Sequence, residues 1–243
     1  MKFSQSKTNK GVTERDFSVT CQDRTIPGVL WTPEARSEPT PLVLIGHGGS
    51  GHKREDHLVS LARRFVRHNG ISAVTIDGPF HGDRASDEVK NESVNKTLRR
   101  LNGEDIVDKM VEDWKATLDA LQKLPEIGIA RVGYWGLSMG TMFGVPLVAA
   151  EPRIEVAVLG LMGPIGGFDR LIRDAPNVTC PLLFLQQWDD ELIPREKSCE
   201  LFDAIGGRDR RLHSNPGPHS AVPQEEFFNT QAFLARHLSP ASD

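Results

Sequence analysis

Val132-Gly133-Tyr134-Trp135-Gly136-Leu137-Ser138-Met139-Gly140 is the stretch on which the fold turns. Strand-like residues run into a G-x-S-x-G pattern at Gly136–Gly140, and Thr141–Ala150 can continue as a helix. A serine at a sharp strand-to-helix corner sits in a strained backbone conformation, and small residues two before and two after it keep the corner free of clashes. Its hydroxyl then stands exposed, with the first amides of the helix directed at any developing negative charge. Ser138 is therefore a candidate nucleophile. A glycine-rich turn without chemistry has the same letters, so the surroundings must decide.

Outward from this corner the chain alternates strand and helix. Val12–Val19 and Thr25–Trp31 read as short alternating strands, antiparallel to each other. Pro41–Gly46, Ile71–Ile76, Arg131–Trp135, Glu155–Leu161 and Pro181–Gln186 read as buried strands, with a weaker one at Arg210–His213. Helical spacing fills Glu55–His68, Ile106–Leu124, Met139–Ala150, Arg195–Ile205 and Gln224–His237. The expected fold is one α/β domain over residues 1–243. Its sheet is doubly wound and mostly parallel, with about eight strands, helices on both faces and a small cap from insertions at 84–104 and 165–177. In such sheets the ligand site lies at the carboxyl ends of the strands.

Three further motifs follow strands. His47-Gly48-Gly49 comes after Pro41–Gly46, and its glycines let backbone amides approach a bound substrate. An acyl-transfer oxyanion needs two such donors, and the expected pair is the amides of Met139 and Gly49, with Gly48 the second choice for the loop donor and a candidate contact to the substrate. Trp188-Asp189-Asp190-Glu191-Leu192-Ile193-Pro194 follows Pro181–Gln186 and offers a carboxylate to orient a histidine. Asp190, four residues before Pro194, is favoured over Asp189, and Asp169 is a remote third. Most loop aspartates only cap turns, which is the plainer reading of each. Pro216-Gly217-Pro218-His219-Ser220 precedes the last helix, where His219 is placed to reach Ser138 as a base. Phe80, Ile165, Phe168 and Trp188 fall in loops near the expected site and are candidates for the substrate pocket, although ordinary packing explains each equally well. His47, His52 and His57 recur every five residues, yet no H-E-x-x-H pair accompanies them, so no metal is expected.

Composition excludes other classes. The 243 residues carry 33 acidic against 29 basic side chains, a net charge of −4, with the cations scattered. That leaves no footprint for nucleic acid or an anionic membrane. No run approaches the ~18 apolar residues of a membrane span. Three widely spaced cysteines, Cys21, Cys180 and Cys199, and a polar N-terminal segment point to a reducing, cytoplasmic setting.

The order Ser138, Asp190, His219 and the four motifs together resemble the α/β-hydrolase superfamily, over about Val12 to Leu238. The nearer resemblance is to its dienelactone-hydrolase-like and prolyl-oligopeptidase-like esterases, which have counterparts of His47–Gly49, Asp77-Gly78-Pro79-Phe80-His81-Gly82, Gly136–Gly140, Asp189–Pro194 and Gly217–His219. Dienelactone hydrolases proper use a cysteine where this chain has Ser138. The resemblance thus implies an ester or thioester hydrolase acting on small to medium substrates through an acyl-enzyme, with no cofactor. Carbon–carbon or lactone hydrolysis on the same three residues is the second reading, and a non-catalytic binding protein the third. A homodimer is compatible with all three.

Overall fold

The computed structural model describes residues 1–35, 38–85, 103–128, 131–166 and 169–239. Nine strands form one sheet: β1 Lys2–Asn9, β2 Val12–Cys21, β3 Arg24–Pro33, β4 Leu42–Gly46, β5 Ser72–Ile76, β6 Val132–Gly136, β7 Ile154–Gly160, β8 Leu182–Gln187 and β9 Arg210–Asn215. Their order across the sheet is β1-β2-β3-β5-β4-β6-β7-β8-β9. The first three strands and the β3–β5 pair are antiparallel, and every pair from β5 to β9 is parallel.

Residues alternate between two cores. Leu42, Leu44, Val74, Tyr134, Leu159 and Phe184 face one side, where they meet α2 (Gly103–Leu121) and α3 (Met139–Ala150). Val43, Ile45, Ala73, Trp135, Val158 and Leu185 face the other, against α1 (Asp56–Arg64) and the C-terminal helix α6 (Gln224–Leu238). The short α4 (Arg170–Asp174) and α5 (Arg195–Ala204) pack on the first side through Leu171 and Leu201. A strand buried on both faces must be apolar at every position, and β4 is.

The chain leaves β4 toward β5 on one side, then returns to place β6 on the other. The strand order therefore reverses between β4 and β6, where a crevice opens at the carboxyl ends. Gly46 and Gly136, the last residues of these strands, lie side by side in register. The His47 loop and the Ser138 corner leave the sheet from adjacent places.

The sheet has one more strand than the sequence reading found. Every residue of β1 is exposed, so no burial pattern marks it, and only backbone pairing to β2 makes it a strand. Its trace in the sequence is the turn: Lys10 and Gly11 both take positive φ, 51° and 75°, as a two-residue hairpin requires. Of the two expected insertions, 84–104 lies for the most part outside the described residues. The other, at 165–177, carries α4 and a following helical turn, Ala175–Asn177, with Leu171 and Ala175 buried against the core.

Candidate active site

Ser138 caps α3 with φ 56° and ψ −120°, a conformation that costs a non-glycine residue on the order of 1–3 kcal/mol. The strain is held by a set of local bonds. The Ser138 amide donates to Gly160 O at 3.0 Å, and the Ser138 carbonyl accepts from Thr141 and Met142. Thr141 Oγ1 lies 2.8 Å from Gly136 O and 2.6 Å from Gly160 O, and accepts the Gly160 amide. Beneath the corner the buried Tyr134 hydroxyl donates to Gly140 O at 2.6 Å. A Cβ on Gly136 would stand 2.8 Å from both Gly140 O and the Tyr134 hydroxyl, so glycine is required there for space. Burial raises the Tyr134 phenol well above its ordinary pKa, which keeps it a donor.

His219 Nε2 lies 2.9 Å from Ser138 Oγ, and His219 Nδ1 lies 2.7 Å from Asp190 Oδ2. With a carboxylate on one side and a hydroxyl on the other, Nδ1 carries the hydrogen and Nε2 accepts from serine. Asp190, only 3 % exposed at its side chain, has its other oxygen filled by the amides of Leu192 and Ile193, at 2.9 and 2.8 Å. The three residues that the sequence reading grouped stand in one line of hydrogen bonds.

Neighbouring side chains hold the loop that carries His219. Asp189 Oδ2 accepts the Gly217 amide, and Glu191 Oε2 accepts the His219 amide, which lowers the Glu191 pKa. The buried Gln187 Nε2 donates to Ala221 O at 3.0 Å and Pro218 O at 3.2 Å, and reaches Pro216 O. Asp189 and Asp190, close rivals by sequence, have separate tasks here: one binds backbone, the other binds the ring.

On the opposite side, His47 Nδ1 donates to Gly48 O at 2.8 Å, and the Gly78 amide donates to His47 Nε2 at 2.9 Å. Both ring nitrogens are thereby assigned, and burial lowers the His47 pKa to about 4. A trans peptide directs its N–H opposite its C=O, so fixing the Gly48 carbonyl also fixes where the Gly49 amide points. His81 lies 2.9 Å from Gly49 O and 2.7 Å from Pro79 O. Asp77, fully buried, receives the Lys53 ammonium at 2.6 Å together with the Lys53 and Asp83 amides. The sequence reading missed His47, His81 and Asp77 as supports. Their signal was present in the paired His-Gly steps at 47–48 and 81–82. His52 and His57 do not join them: His52 pairs with Glu55 at 3.6 Å, and His57 lies edge-on to Phe227. Among the described residues no three His, Cys, Asp or Glu side chains converge as a metal site.

A pocket of about 400 Å³ opens over Ser138 and His219, lined by Gly48, Gly49, Trp135, Leu137, Leu161 and Phe227, among others. The expected pocket residues need correction. Phe80, at φ 67°, is turned into a separate hollow of about 300 Å³ with Arg84 and Ile106. Trp188 is half exposed, with the Arg195 guanidinium stacked 3.8 Å over its ring, and Ile165 packs on the core. Phe168 lies outside the described residues. The actual aromatic wall comes from Trp135 on β6 and from Phe227 on α6, rings 6.0 Å apart, because the crevice opens toward the α1–α6 face of the sheet.

The family model described as the dienelactone hydrolase family matches residues 26–219. No curated protein sequence matches. Among solved structures, a cold-adapted esterase from an Arctic intertidal metagenomic library is 42% identical, with TM-score 0.88, covering 98% of this chain and 100% of its own. A dienelactone hydrolase from Anabaena variabilis is 17% identical with TM-score 0.69, covering 93% of this chain and 97% of its own. An acetyl xylan esterase from a Paenibacillus species is 16% identical with TM-score 0.74, covering 98% and 88%. The last two share the fold. With a strained serine corner after β6, a nine-stranded sheet of matching architecture and a family match over most of its length, this chain belongs to the dienelactone hydrolase family.

Proposed function

We propose that this chain is a serine esterase in which Ser138 attacks, His219 moves the proton and Asp190 orients the imidazole. The observation that carries this reading is the unbroken path from Ser138 Oγ through His219 to Asp190, with separations of 2.9 and 2.7 Å. As Oγ bonds to the acyl carbon, His219 Nε2 takes its proton and Asp190 stabilises the imidazolium. The carbonyl oxygen becomes an oxyanion between the amides of Gly49 and Met139; each such donor contributes about 3 kcal/mol to lowering the barrier. Collapse expels the alcohol, which leaves with the proton from Nε2. Water then enters by the same route, loses its proton to His219, and releases the acid.

Serine at position 138 favours carboxylic esters or thioesters over the lactones that name the family. The pocket's size suits small to medium substrates, and none of these steps asks for a cofactor. The same reading makes residues 1–243 one catalytic domain. It assigns that domain to the cytoplasm, a view supported by three cysteines that form no disulfide. No helix among the described residues is long and apolar enough to cross a membrane.

The test is labelling with a fluorophosphonate, mapped by mass spectrometry. The label is expected on Ser138 alone, and Ser138→Ala is expected to lose both label and turnover of p-nitrophenyl butyrate. Label on another serine, or turnover surviving in Ser138→Ala, overturns the proposal.

A further inference from the structure

Glu55 is the N-cap residue of α1, a position where a short acceptor would normally bond to the helix's free amides. Its side chain makes no such bond. Instead it lies over the loop after β4: a Cβ on Gly51 would stand 3.0 Å from Glu55 Cγ. From there the carboxylate lines the pocket above Ser138, one-third exposed, with the His52 imidazole as its neighbour at 3.6 Å. The rest of the wall is apolar or neutral.

The cations nearest in sequence are committed elsewhere. Lys53 is held by Asp77 and Asp83, at 2.6 and 2.7 Å, beneath the loop. Arg54 is held by Glu14 and Asp16, both at 2.7 Å, on the side of β2. Among the described residues lining the pocket none is lysine or arginine. Any negative charge brought into the pocket therefore meets the Glu55 carboxylate, and no lysine or arginine among the lining residues offsets it.

We infer that this pocket selects esters whose bound portion carries no negative charge, and that Glu55 is the residue that sets this selectivity. The inference rests on the serine-esterase reading above and specifies its substrate class: uncharged, largely apolar groups packed against Trp135, Leu161 and Phe227. Like charges separated by several ångströms in a half-exposed site discriminate by about tenfold at low ionic strength.

The test compares p-nitrophenyl hydrogen adipate, a monoanion, with p-nitrophenyl methyl adipate, its neutral counterpart. kcat/KM is measured at about pH 8, above the ordinary range of imidazole, with and without about 0.5 M salt. The wild-type protein is expected to favour the neutral ester. Glu55→Gln is expected to narrow that preference about tenfold, and salt to narrow it in the wild type but not in the variant. A preference that Glu55→Gln leaves unchanged overturns the role of Glu55. Equal rates for the two esters in the wild type overturn the selectivity. Absence of turnover of both esters overturns the esterase reading, and this inference with it.

Discussion

Between Tyr134 and Thr141 the backbone is fixed by bonds to residues five or six positions away, Tyr134 to Gly140 and Thr141 to Gly136, and by Gly160 at the end of the adjacent β7. The loop carrying His219 is fixed from 28 to 34 residues away, by Glu191, Asp189 and Gln187 reaching over from the end of β8. The first region is a strained corner locked by backbone contacts and by the absence of side chains. The second is an arm moored by side-chain hydrogen bonds at the sheet's far end. The corner is thus the more rigid and the more intolerant of added volume. The arm places the His219 ring between Asp190 and Ser138 with little leverage on the fold.

Three predictions, resting on four substitutions, set this comparison at risk. Asp190→Asn in the arm is expected to lower kcat about ten-thousandfold on p-nitrophenyl butyrate, because the amide cannot hold His219 in the working tautomer. Asp189→Asn, which touches only the Gly217 amide, is expected to lower it on the order of tenfold at most. The reverse ranking would exchange their roles.

The second concerns His47, which supports the corner side. Its pKa falls from an ordinary 6.5 to about 4 in the folded chain. Between those values the unfolded chain binds a proton that the folded chain refuses. Stability is therefore full above the unfolded value and is lost as the pH falls toward the folded one. Between pH 7 and pH 5 the difference in unfolding free energy between wild type and His47→Gln is expected to shrink by about 2 kcal/mol, read from urea curves. A constant difference would mean that His47 is protonated as easily in the fold as outside it.

Gly136→Ala tests the corner itself. The added methyl meets backbone at 2.8 Å, so a loss of about 1–3 kcal/mol in stability is expected, with activity falling as Ser138 shifts. If thermal unfolding of this variant matches the wild type while Asp190→Asn lowers the melting temperature strongly, the division between corner and arm fails.

Much of the sheet was legible because a doubly covered strand leaves a continuous apolar run, as in Leu42–Gly46 and Leu182–Leu185. β1 was not legible, since an exposed edge strand buries nothing that could leave a pattern. Ser138 and His219 could be named from local motifs and chain order. Trp135, Leu161 and Phe227 could not be assigned to the pocket, because they come from three elements and share a wall only through the way α6 packs on the sheet. Phe80 and Trp188 stand near the site in sequence and face elsewhere in space.

By itself the sequence determined the alternating α/β layout, the strained serine corner and the glycine loop beside it. These depend on periodicity and on steric room within a few neighbouring residues. Tertiary structure alone decided that Asp190 and not Asp189 meets His219, toward which face of the sheet the pocket over Ser138 opens, and that Glu55 lines that pocket while Lys53 and Arg54 do not. Each of those is a matter of direction, and a side chain's direction is set by the packing of elements far apart in the chain, which no local pattern records.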